Sequence, residues 1–174
     1  MSTATATTTT RTATSATWIR AGLVGGVIAG IVFAMFEMVA AVVLNGPDAF
    51  FMPLRMIGAI GLGMSALDPT SSLVMAGGAG LVIHMALSMM YGVGVAAILA
   101  YVPTLSRTTA SAVAVASVAG LGLWIVNFFV LAGVFGWAWF PDTQNIAVQL
   151  VAHTFMFGSV LGLIVDRLAF RGAR

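Results

Sequence analysis

Four polar side chains lie inside four separate apolar stretches of this sequence: Glu37, His84, Asn127 and His153. An ionisable group in hydrocarbon costs on the order of a few kcal/mol, so each one inside an apolar segment is a candidate functional residue. A carboxylate, two imidazoles and an amide are also groups that bind protons, cations or hydrogen-bonding ligands. The chemistry available to the chain therefore depends on whether the fold brings these four together.

The composition predicts an integral membrane protein. Of the 174 residues, 60% are hydrophobic and only 7% are charged, which leaves too little polar surface for a soluble domain. Four apolar stretches reach the roughly 20 helical residues needed to span a bilayer: 18–44, 72–102, 109–138 and 145–165. We expect an all-α, four-helix transmembrane bundle over residues 18–168. Residues 1–17, rich in threonine and alanine, are expected to be a disordered tail.

The arginines predict the orientation of the bundle. All seven basic residues are arginine, and only Arg55 falls in the links opposite the chain ends. Positively charged segments stay in the cytoplasm. We therefore expect both termini to be cytoplasmic in a bacterial inner membrane, with residues 169–174 as a basic cytoplasmic tail. Asp48, Asp68 and Asp142 would then lie outside.

The outer link between the first two spans holds an apolar stretch, about residues 53–66, that is too short to cross. Pro53 suits the first turn of a helix, and Arg55 can reach water or pair with Asp48. We predict an outer interfacial helix here. The alternative is a lid over an outward-facing cavity.

The four polar side chains share a predicted depth. At 1.5 Å of rise per residue, each lies roughly 12–18 Å from the outer end of its span. Ser88 follows His84 by one turn, and Gln149 precedes His153 by one turn. Asn145, Gln149 and His153 form a polar stripe on the fourth span, which we expect to be an entry route from the outside. These neighbours extend a mid-membrane polar layer that consists of Glu37, His84, Ser88, Asn127, Gln149 and His153.

Small residues recur every fourth position in the first two spans, a pattern that lets helix backbones approach closely. The predicted packing residues are Gly22, Gly26, Gly30, Ala34, Gly80 and Gly92. Glu37 lies on the same face as the first group, so we expect it to point into a helix contact. The expected neighbours are His84, His153 and Asn127, which share its depth. The two halves of the chain also look repeated. Gly30 precedes Glu37 by seven residues, and Gly120 precedes Asn127 by the same number. The motif LVIH ends at His84 in the second span, and the similar motif LVAH ends at His153 in the fourth. A parallel duplication of a helical hairpin would explain this pattern.

Several interpretations of the polar layer stay open. A layer bonded only to itself would hold the helices together and need no ligand. It could instead bind a ligand or cofactor, or carry protons or ions. His84 and His153 also resemble the paired axial ligands of b-type haem, which makes them candidate haem ligands.

The segment GLVGGVIAGIVFAMFEM, followed by MPLRMIGAIGLG and two histidine-bearing helices, resembles small four-span bacterial inner-membrane proteins that are mostly uncharacterised. The resemblance covers about residues 18–166 and implies the architecture alone.

No pattern for catalysis is present, because the hydroxyl side chains within the spans can bond to their own helix backbone. We expect a non-enzymatic accessory or scaffold subunit of a larger membrane complex, with lipid and other transmembrane subunits or further copies of the chain as partners, and no nucleic acid. The second hypothesis is a small transporter or channel that uses the polar layer. The third is a membrane electron carrier that binds haem b.

Overall fold

Five helices form most of the chain. The computed structural model describes residues 14–140 and 145–171, so Asp142 and most of both predicted tails lie outside the described residues. The helices are α1 (Ser15–Asn45), α2 (Met52–Leu62), α3 (Leu73–Tyr101), α4 (Thr109–Phe135) and α5 (Ile146–Arg171). All but α2 are long and apolar enough to cross a membrane, and no described residue forms a strand. The expected all-α architecture is confirmed, with four helices of the length and composition of membrane spans.

Capping residues and glycines set the ends of the helices. Thr108 and Ser111 bond to each other's backbone N–H at the start of α4, and the Asn145 side chain accepts from Ala147 and Val148 before α5. At the other end of α4, Gly136 adopts the left-handed conformation (φ 70°), which ends the helix before residue 138. The α2 helix covers part of the stretch 53–66 and is followed by a short 3-10 turn, Met64–Leu67.

Close glycine contacts join α1 to α3. A Cβ atom at Gly22 would lie 2.7 Å from Val93 Cα, and one at Gly26 would lie 2.8 Å from Met89 Cα. Gly92 packs against the Gly22 carbonyl oxygen in return. Such an approach of two backbones is open only to glycine at these positions, so the two antiparallel helices are held in one register.

A similar contact joins α4 to α5. A Cβ atom at Gly158 would lie 2.6 Å from the Ala116 carbonyl oxygen, and one at Gly162 would lie 2.8 Å from Val113 Cα. Gly120 packs against the carbonyl oxygen of His153. The α1 helix packs against both α3 and α5, whereas α3 and α4 contact each other only sparsely. Space therefore remains between α3 and α4.

The α2 helix packs against the first part of α3, near the end of the bundle at which α1 ends, which we call the Asn45 end. Gly80, predicted as a packing residue of the second span, faces the Leu54 carbonyl oxygen of α2, and Ala34 is half-buried. Arg55 donates to the carbonyl oxygens of Ala66, Asp68 and Ser71 and to the Ser71 hydroxyl at 2.6–3.1 Å, which closes the link after α2.

The opposite end of the bundle, the Arg171 end, carries an ion pair between a buried aspartate and a partly exposed arginine. Asp166 is fully buried, and its Oδ2 atom accepts from Arg171 Nε at 2.8 Å and from the Thr109 hydroxyl at 2.7 Å. Arg171 also donates to the Ser106 carbonyl oxygen at 3.2 Å. This pair extends α5 beyond residue 165 and fastens it to the start of α4.

Candidate functional site

A cavity of about 240 Å³ lies in the middle of the bundle, and we call it the central cavity. Residues of α1, α2, α3, α4 and α5 line it, and most of its wall is apolar. The structure places all six predicted layer residues on its wall: Glu37, His84, Ser88, Asn127, Gln149 and His153. Four separate helices thus bring their polar side chains to one shared space.

The carboxylate of Glu37 is bonded to α5. Gln149 Nε2 donates to Glu37 Oε2 at 2.8 Å, and the two side chains are only 3% and 6% exposed, respectively. The other carboxylate oxygen, Oε1, has no hydrogen-bond partner among the described residues. Sequence reasoning expected His84, His153 or Asn127 as the neighbour of Glu37. Gln149 takes that place, whereas the two imidazoles bond to backbone carbonyl groups and Asn127 bonds to Tyr91.

Each histidine donates to a carbonyl oxygen. His84 Nε2 lies 2.9 Å from the Gly30 oxygen of α1, and His153 Nδ1 lies 3.0 Å from the Gln149 oxygen one turn earlier. A carbonyl oxygen can only accept, so these two nitrogens carry the hydrogen of a neutral ring. The second ring nitrogen of each histidine, Nδ1 of His84 and Nε2 of His153, is therefore a hydrogen-bond acceptor.

Asn127 is bonded to a residue that the sequence analysis missed. The Tyr91 hydroxyl donates to Asn127 Oδ1 at 3.0 Å and bridges α3 to α4 across the gap between them. Tyr91 also lines the central cavity. It follows His84 by seven residues, two helical turns along the same face, and that spacing was the signal that could have found it.

Two layer residues lie in stretches of π-helix. Asn127 belongs to Val126–Leu131 in α4, and His153 belongs to Ala152–Ser159 in α5. A π segment inserts an extra residue into a helix and is frequent at functional sites. Both segments occur where their helices border the cavity.

The geometry does not support the two histidines as a haem pair. The ring of Phe33 lies against both imidazoles, with centroid distances of 5.3 Å to His84 and 4.7 Å to His153. A macrocycle between the histidines would have to displace this ring. Among the described residues, no group of three or more His, Asp or Glu side chains is placed to hold a metal ion.

A second cavity, of about 720 Å³, lies toward the Asn45 end, and we call it the end cavity. Its wall includes Ala41, Asn45 and Asn145. It shares Glu37, Pro53 and Met56 with the central cavity. Trp139, on its wall, donates from Nε1 to the Met56 carbonyl oxygen at 3.0 Å. Glu37 and α2 therefore border both cavities.

Charge is sparse along both cavities. Among the described residues that line them, Glu37 is the only aspartate, glutamate, lysine or arginine. The polar stripe predicted on α5 follows the same direction, with Asn145 on the end cavity and Gln149 and His153 on the central one. Chemically, the site is an apolar chamber with one carboxyl group and several other polar groups in its wall.

Comparison of the chain with protein-family models, curated proteins and solved structures found no match.

Proposed function

We propose that this protein is a small, non-enzymatic membrane transporter that takes a small molecule into its polar layer. The observation that carries the proposal is the position of Glu37, which borders the end cavity and the central cavity at once. A molecule that passes from one to the other must pass this carboxyl group. The Glu37–Gln149 hydrogen bond would then close the passage between them.

The state of the polar groups favours ligand binding over simple helix adhesion. A layer that only holds helices together would satisfy its own buried atoms, since each unpaired one costs about 1–3 kcal/mol. Here Glu37 Oε1 has no partner among the described residues, and the polar side chains surround a cavity. Concave, mostly apolar pockets with a few convergent polar groups are typical ligand sites.

We place the protein in a bacterial inner membrane with both termini cytoplasmic and the end cavity open to the outside. The described arginines support this orientation, because Arg20, Arg107, Arg167 and Arg171 flank the Arg171 end and Arg55 alone lies near the Asn45 end. In this orientation α2 would lie in the outer interface as a cover over both cavities. We also propose that the chain belongs with the small four-span bacterial proteins it resembles.

We further propose that the two helical hairpins arose by duplication. Gly30 faces His84 in the first hairpin, and Gly120 faces His153 in the second. In α3 the next contacts toward the Arg171 end are Ser88 and Gly92, four and eight residues after His84. In α5 the corresponding contacts are Gly158 and Gly162, five and nine residues after His153, so the second hairpin has one more residue at this point. The π segment Ala152–Ser159 would accommodate this one extra residue.

Cysteine labelling tests the proposed route. The chain contains no cysteine, so single reporters can be introduced without background. Ala41→Cys reports on the end cavity and Leu123→Cys on the central cavity. Val82→Cys, two residues before His84 and 69% exposed on the outside of α3, is the lipid-facing control.

With a membrane-impermeant thiol reagent added outside sealed cells, we expect fast labelling of Ala41→Cys, slower labelling of Leu123→Cys and none of Val82→Cys. A central reporter that is labelled no faster than Val82→Cys would contradict a route from the outside. An end-cavity reporter that is labelled only from the cytoplasmic side would contradict the orientation.

The accessory-subunit hypothesis keeps one observation in its favour. Gly78, Gly94, Gly122 and Gly133 lie on α3 and α4 with no atom within 4 Å of where their Cβ would be. Outward-facing small residues on membrane helices suit close contact with a further helix. Native mass measurement in mild detergent tests this second candidate: a co-purifying subunit of another sequence supports it, and a monomer contradicts it.

A further inference from the structure

We infer that the central cavity binds a small organic ammonium ion, a primary or secondary amine carried on an apolar body. This inference rests on the proposed function, because it names the class of molecule for the same site. It follows from the charge, the hydrogen-bonding pattern, the wall and the size of the cavity.

The charge favours a cation. Glu37 is the only acidic or basic residue among the described residues of either cavity wall, apart from the two histidines. Its Oε1 atom has no partner among the described residues, although the residue is only 6% exposed. A cationic N–H group at this oxygen would form a charge-assisted hydrogen bond, which is roughly twice as strong as a neutral one.

The hydrogen-bonding pattern favours a donor. His84 Nδ1 and His153 Nε2 are acceptors, since the other nitrogen of each ring donates to a backbone carbonyl group. In the ionised carboxylate, which a bound cation stabilises, Glu37 Oε1 is a third acceptor. Asn127 Oδ1 is engaged by Tyr91, which leaves the Asn127 amide as the donor of that residue. A primary ammonium group offers three N–H donors and no acceptor, which complements a set of three acceptors.

The remaining wall fits the apolar body of such a molecule. Phe33, Phe128, Trp137, Phe140 and Phe157 line the cavity together with aliphatic side chains. Aromatic faces attract organic cations and also bury hydrocarbon. A bare metal ion would be poorly served here, because it needs several oxygen or nitrogen ligands in place of its water. An anion would meet the Glu37 carboxylate.

The volume limits the size of the ligand. About 240 Å³ lies just below the roughly 300–1,000 Å³ of pockets that hold drug-sized molecules. The probe is therefore 2-phenylethylammonium, a single ring with a short amine arm. Its matched neutral probe is 2-phenylethanol, which has nearly the same shape and lacks the charge.

The test is isothermal titration of both probes into the full-length protein in lipid nanodiscs. Three forms are compared: the native sequence, Glu37→Gln, and Asp48→Asn as the control at an exposed carboxylate in the link after α1. Each probe partitions into the nanodisc lipid to the same extent with all three protein forms, so this contribution cancels when the forms are compared. We expect the native protein and Asp48→Asn to bind the amine at least about tenfold more tightly than the alcohol, or about 1.4 kcal/mol. In Glu37→Gln we expect this preference to disappear while the alcohol still binds.

Equal affinity of the native protein for the two probes would overturn the ammonium class and leave the proposed binding cavity standing. A preference that survives in Glu37→Gln would overturn the role assigned to Glu37. Absence of binding by both probes would also overturn the inference. In that case the Leu123→Cys reporter decides the proposed function separately, because its labelling needs no ligand.

Discussion

Removing the carboxylate of Glu37 has a cost that can be worked out from its contacts. Glu37→Leu takes away the acceptor of the 2.8 Å bond from Gln149 Nε2 and leaves an amide that is 3% exposed without this bond. Removing one partner of a buried hydrogen bond costs about 1–3 kcal/mol, and side-chain hydrogen bonds between membrane helices average about 0.6 kcal/mol. The same change removes Oε1, which has no partner among the described residues, so part of the cost is offset. We expect a net loss of about 1 kcal/mol in the free energy of unfolding.

Glu37→Gln provides the matched comparison. Its side-chain oxygen can accept the same bond from Gln149, so we expect a loss below about 0.5 kcal/mol. The assay is reversible unfolding of the purified chain in mixed detergent micelles, followed by circular dichroism. A double-mutant cycle with Gln149→Leu should show coupling, because the two residues share one bond. The reasoning is refuted if Glu37→Leu is as stable as Glu37→Gln, or if the two leucine variants are strictly additive.

Three further predictions concern the elements that surround the site. Gly26→Ala places a Cβ 2.8 Å from Met89 Cα and should destabilise the bundle by about 1–3 kcal/mol, whereas Gly94→Ala, with no atom within 4 Å, should be neutral or stabilising in the same unfolding assay. Tyr91→Phe removes the bridge to Asn127 and should cost about 0.5–1.5 kcal/mol, whereas Tyr101→Phe, at a 73% exposed side chain, should cost nothing measurable. The Thr70 hydroxyl and amide donate to the Asp68 carboxylate and hold its pKa below the ordinary value of an aspartate. The stability that Asp68 adds to the link is therefore fully present above about pH 4 and is lost as the pH falls through the lowered value. NMR titration of the Asp68 carboxyl carbon should show the pKa rising toward its ordinary value in Thr70→Val.

Hydropathy and helical periodicity predicted much of this molecule. The four spanning helices follow from runs of apolar residues, which hydrocarbon selects directly. Glu37, His84, Asn127 and His153 were grouped by depth alone, and the structure places all four on one cavity. Depth is readable from sequence because a helix rises by a constant amount per residue.

The partners of these residues were not readable in the same way. Which side chain meets Glu37 depends on how α1 packs against α5, and the sequence carries no signal for that rotation. The π segments Val126–Leu131 and Ala152–Ser159 turn the faces of α4 and α5, which ideal helical spacing does not anticipate. Arg55 was expected near water or Asp48, yet it bonds to Ala66, Asp68 and Ser71, because the link folds back on α2.

The central claim is that Glu37, bonded to Gln149, separates two spaces of one route. The most direct measurement is the rate at which an impermeant thiol reagent, added outside, modifies Leu123→Cys with and without Gln149→Ala. Loss of the Glu37–Gln149 bond should raise this rate by about tenfold, the equivalent of roughly 1.4 kcal/mol, and leave the rate at Ala41→Cys unchanged. An unchanged rate at Leu123→Cys, with Ala41→Cys still labelled, would contradict the claim.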